Sequence, residues 1–150
     1  MTHAEREEMK LQQLSLFLEN KPGQVKVPCQ VLTAAGINIL AMSLADTEQF
    51  GILRVIVKDW KKGKEVLEKA GCVVKMTEVV AVEVQDKPGA LLKILDAFEK
   101  AKMTIEYMYA FNSNRATGQA TLAFRFDDPD AAIAILEGSG VNAHANIELL

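Results

Sequence analysis

The sequence predicts an α+β fold made of two tandem βαββαβ units, each with the split, ferredoxin-like arrangement of strands and helices. The tripeptide Lys-Pro-Gly occurs at residues 21–23 and again at 87–89, each time between an apolar stretch and a helical pattern. Further along, Gly71 has its counterpart in Gly140, and the spacing has grown from 66 to 69 residues because the second copy carries a longer loop over 112–118. A repeat of this length indicates duplication of a small domain rather than a solenoid.

The strand and helix patterns are clearest in the second copy. Apolar residues alternate over 80–84 and again over 122–126, which predicts two half-buried strands. Apolar residues recur at i, i+3, i+4 and i+7 over 91–98, which predicts an amphipathic helix. Residues 103–111 are rich in strand-forming side chains and predict a further strand.

The remaining elements follow from capping residues and from the repeat. Asp128 and Pro129 predict the start of a second helix, Gly140 predicts its end, and a last strand follows over 143–149. By the repeat, the first copy has strands near 14–19, 37–46, 51–58 and 73–78 and helices near 24–35 and 60–70. Pro28 falls inside the first of these helices, so we expect that helix to start late or with a distorted first turn.

The chain divides into an N-terminal segment over residues 1–10, a first unit over 11–78 and a second unit over 79–150. The charged N-terminal segment is expected to be a flexible tail or a short exposed helix. A single unit of this size buries only ~60% of the surface of its unfolded chain and is marginal alone. We therefore expect the units to join side by side into one continuous antiparallel sheet with helices on one face, which also hides open edges.

Composition and charge exclude several classes of function. Charged residues make up 25% of the chain and its net charge is −3, which provides no basic surface for nucleic acid. No apolar stretch approaches the ~20 residues that a membrane span needs, so we expect no membrane partner. Cys29 and Cys72 lack the spacing of metal ligands. We expect them to be reduced, half-buried thiols of a cytoplasmic protein that has neither metal nor cofactor.

The two Lys-Pro-Gly turns have a chemistry of their own. A helix that follows such a turn presents free backbone N–H groups at its positive end, which suits a carboxylate or phosphate. The side chain of Asn20 or Asp86, just before the tripeptide, can accept a hydrogen bond from an ammonium group. Each turn therefore offers partners for both charges of an α-amino acid. The turn is not specific by itself, since the same residues also serve merely to cap it and to relieve strain.

The turn, the helix and the run Gly36-Ile37-Asn38-Ile39 together resemble the ACT domain family. The resemblance extends from about residue 11 to 150, twice, and includes the third strand of the first copy over 51–59. It implies ferredoxin-like units that pair side by side. It also implies that an amino acid binds in the crevice between units, at the strand–helix turn of one and the second strand of the other.

The resemblance also implies which residues bind the ligand. They are Asn20, Pro22, Gly23, Gln24 and Asn38 in the first copy, and Asp86, Pro88, Gly89, Ala90, Leu91 and Thr104 in the second. The second copy departs from the pattern, since Thr104 stands in place of Asn38 and Lys102 in place of Gly36. We therefore expect two unequal sites and favour the first copy.

The predicted function is a non-catalytic amino-acid-binding sensor or regulator, as in the small stand-alone tandem proteins that the chain resembles. The alternative is an interaction module that modulates a partner enzyme without binding a ligand, and a homodimer is compatible with either. An acylphosphatase-like hydrolase needs an arginine in the first turn, which both copies lack. The sequence also lacks a Ser/His/Asp or Cys/His set, so we do not expect an enzyme.

Overall fold

A computed structural model describes residues 2–47, 49–114 and 118–139. The chain forms two compact units, one of residues 12–77 and one that combines residues up to 11 with those from 78 onward. In chain order the elements are α1 His3–Glu8, β1 Lys10–Glu19, α2 Lys26–Ala34, β2 Ala41–Thr47, β3 Phe50–Ile56, α3 Trp60–Lys69, β4 Val74–Gln85, α4 Ala90–Lys100, β5 Tyr107–Asn114, β6 Gln119–Arg125 and α5 Pro129–Gly138.

The first unit has β3 at the centre of an antiparallel sheet, between β1 and β2. Leu53 of β3 lies opposite Leu16 on one side and Leu44 on the other. On the far side of β1, the N–H of Phe17 donates to the carbonyl oxygen of Val73, just before β4. The buried apolar residues of the sheet pack against helices α2 and α3 on one face, as expected for a ferredoxin-like unit. This core contains Leu14, Leu16, Leu18, Leu32, Leu53, Val55, Val57 and Leu67.

Helix α2 begins late, as predicted from Pro28. Its first residue is Lys26, three residues beyond Gly23, and Pro28 is its third residue. A proline is tolerated there because the first N–H groups of a helix have no partner within the helix. Pro28 is buried, so its ring also contributes to packing.

The second unit repeats the arrangement with β6 between β4 and β5. Leu122 of β6 lies opposite Val82 of β4 and Ala110 of β5. Three phenylalanine rings fill the space beneath α4 and α5: Phe98 lies 4.6 Å from Phe126 and 5.8 Å from Phe124, measured between ring centroids. The predicted cap of α5 is confirmed, since the Asp128 side chain accepts from the Ala131 N–H. The α+β class and the ferredoxin-like pattern are therefore both confirmed.

The N-terminal segment belongs structurally to the second unit. Residues 3–8 form the short exposed helix α1, which Thr2 caps. The next residue, Met9, is only 1% exposed and lies in the second unit's core, while its carbonyl oxygen accepts from Ala81 N–H at 2.7 Å. Arg6 also pairs with Glu137 at 2.6 Å. The segment is therefore a short helix followed by an anchored strand, rather than a flexible tail, because one apolar side chain among the charges is buried.

Other predictions differ in their boundaries or fall outside the described residues. Strand β2 begins at Ala41 rather than at residue 37, although Leu40 N–H already donates to Ile56 O at 2.8 Å.

Cys29 and Cys72 are partly buried, as predicted, and burial raises the pKa of the Cys72 thiol. Gly140 and the last strand over 143–149 lie outside the described residues. Among the described residues, no helix combines the length and the apolar character that crossing a membrane requires.

Candidate ligand site at the strand–helix turns

The first turn connects the end of β1 to α2 through residues 20–25. Backbone bonds shape it: Lys21 N–H donates to Glu19 O at 2.9 Å, and Gln24 N–H donates to Lys21 O at 3.3 Å. Gly23 has φ +85°, a left-handed conformation that explains why glycine follows proline here. A Cβ on Gly23 would meet nothing within 4 Å, so a ligand can approach this stretch of backbone closely.

Beside the turn, the ends of three strands bring together a polar cluster of Asn20, Asp46 and Gly51, which we call the first-turn cluster. The Asn20 Nδ2 donates to Asp46 Oδ1 at 2.6 Å. Gly51 lies directly opposite Asp46 in the β2–β3 ladder. A Cβ on Gly51 would stand 3.1 Å from Asn20 Oδ1, so the Asn20 amide rests against the glycine. The bare backbone of Gly51 thus gives Asn20 the room to reach Asp46.

Charge in this region is mixed. Lys21 Nζ lies 2.7 Å from Glu19 Oε2, and both side chains are exposed. The hydrogen bond and charge of Lys21 lower the pKa of Glu19, while those of Glu19 raise the pKa of Lys21. Such an exposed pair contributes little to stability. Asp46, which is exposed and accepts from a neutral amide, provides the negative charge that faces the turn.

The second turn is built differently. Asp86 N–H donates to Gly118 O at 2.7 Å, which extends the pairing of β4 and β6 beyond Gln85 and Gln119. Gly89, at φ +89°, is itself the N-cap of α4, so the helix follows the tripeptide at once. The backbone N–H groups of the first helical turn therefore lie immediately beyond Gly89, where an anion is favoured.

The first-turn cluster has no equal in the second unit as far as the described residues extend. Leu18 lies opposite Gly51 in the first unit, and the equivalent pair in the second is Val84 opposite Ala120. A methyl group thus stands where the first unit has none. Asp46 lies opposite Gly51 in the first unit, whereas Ser113 lies opposite Ala120 in the second, where the pairing shifts between Ala110 and Asn112. The two turns therefore have different surroundings, and the residues that differ lie in the neighbouring hairpin strands rather than in the turns.

Within one unit, Asn38, which was predicted to bind the ligand together with the turn, lies far from that turn. Asp46 lies at one end of β2, whereas Asn38 precedes Ala41 at the other end. At about 3.3 Å per residue, Ala41 and Asp46 alone are ~17 Å apart. Thr104 likewise precedes β5 and lies at the end of the sheet away from Asp86. Inside a unit, Asn20 therefore shares a site with Asp46 and not with Asn38.

The remaining residues that were predicted to bind the ligand all lie at or beside the two turns. Those of the first unit are Pro22, Gly23 and Gln24. In the second unit, Pro88 and Gly89 are exposed at the turn, and Ala90 and Leu91 are the first two residues of α4.

Sequence reasoning missed Asp46 and Gly51. Both belong to a hairpin whose pairing decides that they face each other and that they lie beside the end of β1. The missed signal was a glycine at the start of a predicted strand, since glycine inside a strand often marks a close approach by another group.

Comparison with known proteins agrees with this fold. The family model of the ACT domain pair matches residues 9–146. No curated protein matches the chain significantly.

Among solved structures, protein BT0572 from Bacteroides thetaiotaomicron is 36% identical, with a TM-score of 0.82 over 90% of this chain and 92% of that chain. The ligand-free regulatory subunit of aspartate kinase from Thermus thermophilus is 16% identical, with a TM-score of 0.63 over 89% of this chain and 95% of that one. The corresponding subunit from Thermus flavus is also 16% identical, with a TM-score of 0.57 over 86% and 93%. At that identity, the two kinase subunits show a shared fold alone. The family model, which matches most of the chain, establishes that this chain belongs to the ACT domain pair family.

Proposed function

We propose that the protein is a non-catalytic cytoplasmic regulator that binds an amino acid at the first turn and conveys its presence to a partner enzyme. The observation that carries the proposal is the first-turn cluster, in which Asn20 and Asp46 are 2.6 Å apart beside the exposed turn at Gly23. Membership of the ACT domain pair family supports a regulatory role. The aspartate kinase subunits that share the fold are themselves named as regulatory.

The chemistry of the turn suits a zwitterion. The ligand's carboxylate takes backbone N–H groups near Gly23, where the missing side chain permits close contact. Its ammonium group donates to the carboxylate of Asp46 and to Oδ1 of Asn20. A hydrogen bond between charged partners is roughly twice as strong as a neutral one, so Asp46 contributes the larger share of this recognition.

The proposal is tested by thermal shift against each of the twenty amino acids, followed by calorimetry. A ligand at 100 times its Kd stabilises the folded state by about 2.7 kcal/mol. For a chain of this size, that corresponds to a rise in Tm of roughly 5–11 °C. The Asp46→Asn variant should lose most of this rise, because it keeps the shape but removes the charge. Asp96→Asn, an exposed change on α4, is the matched control and should respond as the unmodified protein does. If no amino acid raises Tm, the proposal fails.

One observation favours a second candidate function, that of a ligand-independent interaction module. On the sheet face of the first unit opposite its core, Phe17 is 47% exposed, and its hydrogen-bonded neighbour Val73 is 66% exposed. Exposed apolar residues side by side are typical of an interaction surface. In that case, Phe17→Thr should weaken capture of a partner enzyme, and the partner's activity should not respond to added amino acid.

A further inference from the structure

We infer that Gly51 is a positioning residue that makes the first turn, and not the second, the amino-acid site of this chain, so that one ligand binds per chain. The inference rests on the proposed function and deepens it. It starts from a buried glycine in the interior of a sheet, where glycine is usually unfavourable because it weakens the strand.

Backbone conformation does not explain this glycine. Gly23, Gly71 and Gly89 have positive φ values, which other residues adopt only with strain, but Gly51 is not among the glycines with positive φ. Its φ therefore lies outside the left-handed region that disfavours other residues. The reason for glycine must therefore be sought in what lies next to it.

The closest neighbour of Gly51 is the side chain of Asn20, which belongs to the proposed ligand site. A Cβ on residue 51 would lie 3.1 Å from Asn20 Oδ1 and 3.5 Å from Leu44 Cδ1. The first distance is tighter than nine in ten real contacts of a Cβ, so the Asn20 amide would have to move by a few tenths of an ångström. Because that amide already holds Asp46 at 2.6 Å, the movement changes the two oxygen atoms that face the ligand's ammonium group.

The second unit has the methyl group that the first lacks. Ala120 occupies the register position of Gly51, opposite Val84 as Gly51 is opposite Leu18. There, the residue in place of Asn20 is Asp86, whose own N–H is engaged by Gly118 O. The methyl group of Ala120 therefore stands where Gly51 leaves room for Asn20, although the Lys-Pro-Gly tripeptide is retained.

The experiment is titration calorimetry with the amino acid that gives the largest thermal shift. We expect one ligand per chain. Gly51→Ala should weaken binding about tenfold or more, the size of one hydrogen bond to a charged group. Ala120→Gly, the matched change in the second unit, lies away from the first turn and should leave the affinity of the first site unchanged. Two ligands per chain, or a Gly51→Ala variant that binds as tightly as the unmodified protein, would overturn the inference while leaving the proposed function intact.

A double-mutant cycle separates positioning from a general loss of structure. If Gly51 acts through Asn20, adding Gly51→Ala to Asn20→Ala should weaken binding by less than twofold, because the side chain to be displaced is already gone. If the two changes weaken binding independently, the effects multiply and the positioning role is refuted. Should Gly51→Ala unfold the chain, the double variant still decides, since removal of the Asn20 side chain relieves the 3.1 Å contact. Absence of binding by the unmodified protein would instead contradict the proposed function.

Discussion

Gly63 in helix α3 offers a test of the packing of the first unit, because two opposing effects act on its replacement by alanine. Gly63 is buried, and a Cβ there would lie 3.2 Å from Val57 Cγ2 and 3.3 Å from Leu14 Cδ1. Leu32 Cδ2 follows at 3.7 Å. The added methyl group thus meets side chains of the strand layer and of α2 at once. The glycine lets α3 approach the sheet more closely than any other residue would.

The magnitudes decide the sign of the change. Replacing glycine by alanine inside a helix is worth about 1 kcal/mol in favour of folding. Inserting a methyl group into a packed core typically costs 1–3 kcal/mol. Both close contacts of Gly63 come from side chains that are almost fully buried and have little freedom to move. We therefore expect Gly63→Ala to lower the free energy of unfolding by about 1 kcal/mol in spite of its better helix propensity.

The matched control is Gly138→Ala, at the end of α5, where a Cβ would meet nothing within 4 Å. That variant should be neutral or slightly more stable. The two variants should therefore differ by about 1–2 kcal/mol, which is a difference in Tm of roughly 2–8 °C. Circular dichroism measures both melts, and the chain's single tryptophan, Trp60 of α3, reports on the first unit by fluorescence. A Gly63→Ala variant that melts at or above the unmodified protein would refute the reasoning.

Two further predictions concern the N-terminal segment. Met9→Ala should lower the free energy of unfolding by about 2–5 kcal/mol in denaturant titration, whereas the half-exposed Met42→Ala should cost much less; equal effects would contradict the anchoring of the segment. The Lys10 ammonium lies 2.6 Å from Asp130 and 2.9 Å from Glu7, and these hydrogen bonds hold its pKa well above the ordinary 10.5. A raised lysine pKa stabilises the fold fully below about pH 10.5 and loses that effect as the pH rises toward the folded-state pKa. Lys10→Met should therefore be less stable at pH 8, with a difference from the unmodified protein that shrinks above pH 10.5; a difference that grows with pH would contradict the ion-pair account.

Local patterns predicted most of the fold. Alternation in 80–84 and 122–126, the helical spacing over 91–98 and the effect of Pro28 each depend on neighbouring residues, and the structure agrees with them. The N-terminal segment was harder to predict, because Met9, the apolar residue that anchors it, stands among charged residues. Whether such a side chain is buried depends on the core against which it packs, and the residues of that core lie far away in the sequence.

The candidate site was only half predictable for the same reason. Asn20 and Gly23 lie in one turn and are visible as a motif, whereas Asp46 and Gly51 join them only through the register of three strands. A strand tolerates glycine or alanine with nearly the same backbone, so a repeat can exchange Gly51 for Ala120 without losing its fold. On the proposed function, that exchange removes a site and leaves the motif in place. Duplication of a fold therefore does not imply duplication of its ligand site, and the residues that decide between the two lie outside the conspicuous turn.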